Sequence, residues 1–210
     1  MSRPLRPAGD VTRHPVSAWN VANALTVLRL VLVPVFLVLL FHDGGEAAAG
    51  RVAAFATFAV ASVTDRIDGQ LARSRGLVTD FGTIADPIAD KALIGGALVG
   101  LSVLGELAWW VTVVVLVREI AVTLLRFFVI RHGVMPASRG GKLKTLLQAV
   151  AIGLLVLPLT GWLHDLALLV MYLAVVVTVF TGVDYVARAL RLRRTSERAE
   201  AKRARRARQP

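Results

Sequence analysis

Six long apolar stretches constrain the fold of this chain more than any other feature. Each is close to the ~20 residues that an α-helix needs to cross the hydrocarbon core of a bilayer. Apolar residues make up 56% of the chain and charged residues only 19%, so a water-soluble domain is not expected. We predict an all-α integral membrane protein with six transmembrane helices. The six candidate spans cover about 22–42, 51–72, 80–104, 108–131, 143–161 and 165–188.

The basic residues between the spans predict the topology. Arginine and lysine cluster in the first 18 residues, after the second and fourth spans and in the tail, whereas the opposite side receives only Arg51. This asymmetry places both termini in the cytoplasm of a multi-pass protein of the cell (plasma) membrane. We predict a flexible arm (1–18), a membrane domain (19–190) and a basic tail (191–210). The net charge of +11 is mostly this topology signal, and anionic headgroups of membrane lipids are a better partner for the tail than nucleic acid.

Charged residues inside the spans all fall toward the cytoplasmic side. A charge that faces lipid costs several kcal/mol, so such residues usually face the bundle interior or a wet cavity. We therefore predict a polar cavity that opens to the cytoplasm. The chain has no cysteine, which excludes thiolate nucleophiles and cysteine metal sites. The residues concerned are Arg29, Asp65, Asp68, Asp80, Asp86, Asp90, Lys91, Arg118, Glu119, Arg126, Lys142, Lys144 and Asp184.

Two pairs of aspartates indicate what this cavity holds. Asp65 and Asp68 are three residues apart and Asp86 and Asp90 four apart, so each pair projects from one face of its helix. Four clustered carboxylates repel one another unless cations neutralise them, and oxygen ligands suit Mg²⁺, Mn²⁺ or Ca²⁺. A two-metal site for displacement at phosphorus is the natural inference. The alternative is that these aspartates pair with Arg66, Arg73, Arg75 and Lys91.

The spacing of this segment resembles a known signature. The pattern is Asp65-x-x-Asp68-Gly69-x-x-Ala72-Arg73, eight residues, then Gly82-x-x-x-Asp86-x-x-x-Asp90. It resembles the signature of the CDP-alcohol phosphatidyltransferases, and the resemblance covers roughly 19–190. That family has six transmembrane helices, usually forms homodimers, and transfers a phosphatidyl or related group from a CDP-linked donor to an alcohol with loss of CMP.

The resemblance implies a role for each matching residue. The four aspartates would hold two divalent ions, Mg²⁺ or Mn²⁺, on the diphosphate of the donor, and Asp90 would also be the catalytic base. The stretch "NVANALTVLR" is similar to the start of the first helix in the family, although Ala22 stands where relatives often have proline. The CDP-binding residues implied in this way are Asn23, Thr26, Arg29, Gly69, Ala72, Arg73 and Gly82. For any single glycine, close helix packing is at least as good an explanation.

The acceptor is indicated by two later stretches. "LVREIAVTLLRFF" and "GGKLKTLLQ" resemble the fourth and fifth helices of phosphatidylglycerophosphate synthases, whose acceptor is sn-glycerol 3-phosphate. Basic side chains there could bind a phosphate dianion. The candidates are Arg118, Arg126, Lys142 and Lys144. Alternatively, the lysines anchor a helix end among headgroups, and Arg118 pairs with Glu119 or Asp184.

Taken together, these patterns predict transfer of phosphatidyl from CDP-diacylglycerol to sn-glycerol 3-phosphate. Cardiolipin synthesis from phosphatidylglycerol and transfer to inositol phosphate are alternatives within the family. Outside it, a carboxylate-lined ion transporter would also need intramembrane charges, but the internal repeat common in transporters is not visible. A purely structural adaptor would not need opposed aspartate pairs.

Overall fold

The computed structural model of the chain describes residues 21–75, 79–130 and 139–207. It gives the backbone alone for 22, 68–75, 80, 126–130, 139–140, 142, 190 and 192–207. Six α-helices account for nearly all of the described residues, and no strand occurs among them. They are α1 (Val21–Leu40), α2 (Ala48–Arg75), α3 (Asp80–Val103), α4 (Trp109–Ile130), α5 (Arg139–Val156) and α6 (Trp162–Ala207), with a short 3₁₀ turn at His42–Gly45 between the first two.

The predicted all-α architecture is confirmed, since one helix lies at each candidate span. Two described segments are both long and apolar enough to cross a bilayer, Asn23–Leu40 and Trp162–Ala189. The apolar segment Leu143–Val156 is shorter than a full span. Charges within or beside the apolar stretches lower the hydropathy of α2, α3 and α4. Passage of all six helices through the membrane therefore stays a prediction.

The outer surface of the helices is apolar. Trp162 is 72% exposed, Phe180 75% and Val38 70%, and many other large apolar side chains lie on the outside. In water such a surface would aggregate, whereas a bilayer is its proper solvent. The chain is a membrane protein.

Two antiparallel hairpins form the frame of the bundle. In the first, α1 turns into α2 through Asp43, Gly44 and Gly45, which all have positive φ. The α5–α6 hairpin is the second, and α2 packs on α5 between the two hairpins. The remaining helices fill the sides, with α3 against α1 and α4 against α6.

The apolar core lies away from the aspartates. Phe36 and Phe58 pack with ring centroids 5.7 Å apart, and the same buried cluster includes Leu98, Leu101 and Ile152. This half of the bundle is a conventional close-packed interior. Arg29 of α1, the aspartates of α2 and α3, and Arg118 and Glu119 of α4 are left at the opposite end.

Arg51 joins the start of α2 to the end of α5, at the end of the bundle that is remote from the aspartates. Its side chain is buried, and it donates to the carbonyl oxygens of Leu155 and Val156 at distances of 2.7 Å each. It also donates to Glu106 Oε1 at 2.8 Å. The guanidinium therefore satisfies carbonyls that the last turn of α5 would leave without partners.

We expect Arg51→Ala to lower the free energy of unfolding by roughly 3 kcal/mol, because it leaves buried acceptors unsatisfied. The measurement is thermal unfolding in one detergent, with Arg188→Ala as the control because the Arg188 side chain is exposed and pairs with Asp184 of its own helix. An Arg51→Ala protein as stable as wild type would show that the hydrogen bonds of Arg51 contribute nothing to the free energy of unfolding.

Candidate active site

The charged ends of five helices meet at one end of the bundle. Helices α1, α3 and α5 begin there, and α2 and α4 end there, because consecutive helices alternate in direction. Every sequence-predicted site residue lies on one of these five helices. The antiparallel topology alone therefore gathers the candidate residues on one side of the membrane domain.

A hydrogen-bonded corner joins the starts of α1 and α3. Thr79 caps α3, since its hydroxyl accepts from the backbone N–H of Gly82 at 3.1 Å. The same hydroxyl donates to Asn23 Oδ1 at 2.7 Å. Further along the two helices, the Thr26 hydroxyl of α1 donates to Asp86 Oδ1 of α3. Two of the predicted nucleotide-binding residues therefore contact the same helix that carries Gly82, Asp86 and Asp90.

Gly82 is needed here because the polar groups approach its backbone closely. A Cβ at this position would lie 3.1 Å from Asn23 Oδ1 and 3.3 Å from Thr79 Oγ1. Both distances are tighter than ordinary van der Waals contact, so a larger residue would press on the α1–α3 corner. The close neighbours belong to α1 and to the cap of α3, so the geometry supports close helix packing as the explanation for this glycine, and its proposed place in the CDP pocket stays a prediction.

Arg29 and Asp65 form an ion pair between α1 and α2. Arg29 Nη1 lies 2.6 Å from Asp65 Oδ1, and the arginine side chain is fully buried while the aspartate is 39% exposed. The sequence interpretation weighed Arg66, Arg73, Arg75 and Lys91 as partners of the aspartates, and it missed Arg29 in this role. A buried guanidinium with a partly exposed carboxylate fixes α1 against the end of α2.

Two cations meet one carboxylate between α4 and α5. Arg118 Nη1 lies 2.9 Å from Glu119 Oε1, and Lys144 Nζ donates to the same oxygen. Arg118 is held from α6 as well, since its Nε and Nη2 donate to Thr178 O at 3.2 Å and Thr181 Oγ1 at 3.1 Å. The alternative pairing of Arg118 with Glu119 is thus confirmed.

Asp184 does not take part in this cluster through Arg118. Its Oδ2 lies 2.9 Å from Arg188 Nε, one turn away on the same helix. Asp90 is close enough to interact electrostatically with Asp65 of α2, with its neighbour Lys91, and with Glu119 and Lys144 of α4 and α5. Charged residues of α2, α3, α4 and α5 therefore interact electrostatically at this end of the bundle.

The donor chemistry of the aspartates suits a hard divalent ion, but the described residues do not form a closed ligand cage. Among side chains that the structure describes, no group of three or more carboxylate or histidine ligands is close enough to hold a metal. The fourth predicted ligand, Asp68, is outside the described side chains. A carboxylate has two oxygens and about four acceptor sites, so the contacts of Asp65 to Arg29 and of Asp86 to Thr26 leave acceptor capacity for a metal.

Several predicted residues cannot be placed. Their backbones lie in α2, α4 and α5, but their side chains are outside the described part of the chain. They are Asp68, Gly69, Ala72, Arg73, Arg126 and Lys142.

Comparison with known proteins shows which family the chain matches. The model of the family described as "CDP-alcohol phosphatidyltransferase" matches residues 19–180. The chain belongs to the CDP-alcohol phosphatidyltransferase family. Its matched region contains all four signature aspartates and the first residues of α1, so the corner at Asn23 and the ion pair at Asp65 lie inside the phosphatidyltransferase domain.

Individual relatives narrow the comparison. The chain is 65% identical over 172 residues to a probable phosphatidylglycerophosphate synthase of Mycobacterium tuberculosis, with 82% of each chain covered. It is 35% identical over 180 residues to the CDP-diacylglycerol–glycerol-3-phosphate 3-phosphatidyltransferase of Bacillus subtilis, with 80% of this chain and 93% of that protein covered. The enzyme of the same name from Haemophilus influenzae is 32% identical over 173 residues, with 80% and 91% covered.

Proposed function

We propose that this phosphatidyltransferase transfers the phosphatidyl group of CDP-diacylglycerol to sn-glycerol 3-phosphate, giving phosphatidylglycerophosphate and CMP. The names of its relatives in Mycobacterium tuberculosis and Bacillus subtilis support this choice of donor and acceptor. The observation that carries it is the meeting of Arg118 and Lys144 at the Glu119 carboxylate, with Lys144 within electrostatic range of Asp90. Two cations at the end of the bundle that also carries the proposed base suit an acceptor that bears a phosphate.

In this proposal Asp65, Asp68, Asp86 and Asp90 hold two divalent ions, Mg²⁺ or Mn²⁺. Those ions, when bound, neutralise the diphosphate of the donor and polarise its phosphorus–oxygen bonds. The buried side chains of Asn23, Thr26 and Arg29 lie on α1, at the end of the bundle that carries the aspartates. There they are proposed to contact the cytidine nucleotide. The remaining members of the proposed CDP pocket are Gly69, Ala72, Arg73 and Gly82.

The protein's own groups then perform the proton transfer and the orientation of the acceptor. The proposed acceptor site consists of Arg118, Arg126, Lys142 and Lys144. These residues bind the phosphate of glycerol 3-phosphate and turn its primary hydroxyl toward Asp90. Asp90 accepts the hydroxyl proton while the hydroxyl oxygen forms a bond to the phosphorus that carries diacylglycerol. The bond from that phosphorus to the oxygen of CMP breaks, and CMP leaves with the electron pair.

The membrane arrangement is also part of the proposal. All six helices cross the membrane, both termini and the active site face the cytoplasm, and the protein forms a homodimer in the plasma membrane. The basic residues on that side, the apolar outer surfaces and the usual state of the family support this arrangement.

A panel of acceptors tests the proposed function. One preparation of CDP-diacylglycerol is offered to the purified protein with glycerol 3-phosphate, phosphatidylglycerol or inositol phosphate, and release of CMP is followed. We expect glycerol 3-phosphate to react fastest. Faster release with either other acceptor would reassign the substrate, and absence of CMP release in competent membranes would favour the carboxylate-lined ion transporter.

Lys144→Ala tests the proposed phosphate contact. Loss of a charge-assisted contact should raise the KM for glycerol 3-phosphate by roughly ten- to a hundredfold. The KM for CDP-diacylglycerol should change little, because its diphosphate lies on the aspartates of α2 and α3. Acceptor titrations at saturating donor measure the effect, with Arg188→Ala as the matched basic control. An unchanged acceptor KM for Lys144→Ala, for Lys142→Ala and for the double variant would refute the assignment.

A further inference from the structure

The Glu119 carboxylate accepts hydrogen bonds from two of the side chains that are proposed to bind the phosphate of the acceptor. Its Oε1 accepts from Lys144 of α5 and from Arg118 of its own helix. Consecutive residues of a helix point about 100° apart, so their contact is not imposed by the backbone. The arginine side chain turns back to reach the carboxylate, while its other nitrogens stay on Thr178 and Thr181.

The charges at this point match those of an occupied anion site. Two cations share one carboxylate oxygen, as they would share an oxygen of a phosphate. The side chain of Glu119 is 22% exposed, Arg118 16% and Lys144 8%. The carboxylate is thus the most exposed member of the three.

We infer that Glu119 stands in for the phosphate of the acceptor in the unliganded protein, and that it releases Lys144 and Arg118 when glycerol 3-phosphate binds. This inference rests on the proposed function, which supplies a phosphate-bearing acceptor at the same site. A phosphate dianion competes for both cations with twice the charge of the carboxylate. A neutral alcohol cannot compete, so Glu119 also selects against acceptors without an anionic group.

A second role for Glu119 makes the opposite prediction. If the carboxylate only positions the two cations for the acceptor, its neutralisation should weaken phosphate binding. If it competes with the phosphate, neutralisation should strengthen binding, because a like charge has been removed from the site. The sign of the change therefore separates the two roles.

The experiment is direct binding of glycerol 3-phosphate, and separately of inorganic phosphate, to the purified protein without donor lipid. We expect Glu119→Gln to bind both anions about tenfold or more tightly than wild type, since an ion-pair competitor is lost. Glutamine has the same shape as glutamate and its amide oxygen can still accept from Lys144, which favours retention of the fold. Glu119→Asp should bind tighter by a smaller factor, because a shorter side chain reaches Lys144 less well. This variant keeps the test decisive where Glu119→Gln does not fold.

The matched control is Glu106→Gln. Glu106 also bridges two basic side chains, Arg51 and His164, but at the opposite end of the bundle. Its variant should bind both anions as wild type does. Unchanged or weaker binding by the Glu119 variants, in a protein that does transfer phosphatidyl to glycerol 3-phosphate, would overturn the role of Glu119 alone. A wild type without that transfer would overturn the proposed function and this inference with it.

Discussion

Asp86→Asn is expected to lower phosphatidyl transfer by on the order of a hundredfold or more, because it removes an anionic ligand from the proposed metal site. The substitution is conservative in shape. The asparagine Oδ1 can still accept from the Thr26 hydroxyl, which in the wild type donates to Asp86 Oδ1. The α1–α3 corner should therefore persist, and the variant should still insert and purify. Loss of activity can then be assigned to loss of charge.

The measurement is the initial rate of CMP release across a titration of Mg²⁺ or Mn²⁺. Asp184→Asn is the matched control, since Asp184 lies on α6 and pairs with Arg188. Activity near wild type in Asp86→Asn would refute the two-metal proposal. Asp65→Asn should also abolish transfer, but it leaves the buried Arg29 without its carboxylate, so a loss of stability accompanies it.

Asp90→Asn is expected to lower kcat by about a hundred- to ten-thousandfold while donor binding survives better. The proton-accepting role is exercised only during reaction, whereas the other three aspartates would remain to hold the ions on the donor. Asp90 is within electrostatic range of Asp65, a proposed metal ligand, and of Lys144, a proposed acceptor contact. Turnover and CDP-diacylglycerol binding are measured on the same preparation. Equal loss of both would make Asp90 a ligand and not the base.

The helices could be predicted from the sequence because bilayer thickness fixes their length. Each apolar stretch yielded one helix, and Gly/Pro-containing segments separate them. The end of α6 could not be predicted in this way. It continues to Ala207, beyond the predicted span end at 188, since the alanine- and arginine-rich tail has good helix formers and no proline before its last residue.

For the candidate site, the sequence predicts which residues share a face of one helix and which helix ends lie together. It does not predict which side chains of different helices come into contact. Three- and four-residue spacings gave the faces of α2 and α3, and antiparallel topology gave the common end. The pairing of Arg29 with Asp65, and of Lys144 with Glu119, joins residues far apart in sequence. Such pairs depend on how the helices rotate and pack, which hydrophobic spacing does not specify.

The contact between Glu119 and Lys144 was not predicted, although the sequence contains a signal for it. The sequence places Glu119 among the charges of the predicted cavity and offers it as a partner of Arg118. An acidic residue within an apolar helix is costly, however, unless a cation on another helix meets it. Lys144, at the start of the next helix, was the available cation on the same side of the membrane. Topology and charge together could have predicted this contact.

The proposed reaction is a metal-dependent transfer of the phosphatidyl group to glycerol 3-phosphate with release of CMP. Its most direct test measures both products at once, using labelled glycerol 3-phosphate, CDP-diacylglycerol and the purified protein in lipid, with Mg²⁺ or Mn²⁺ present and then chelated. We predict one labelled lipid for each CMP released, and neither product after chelation. CMP release without labelled lipid, or equal yields of both after chelation, would contradict the account.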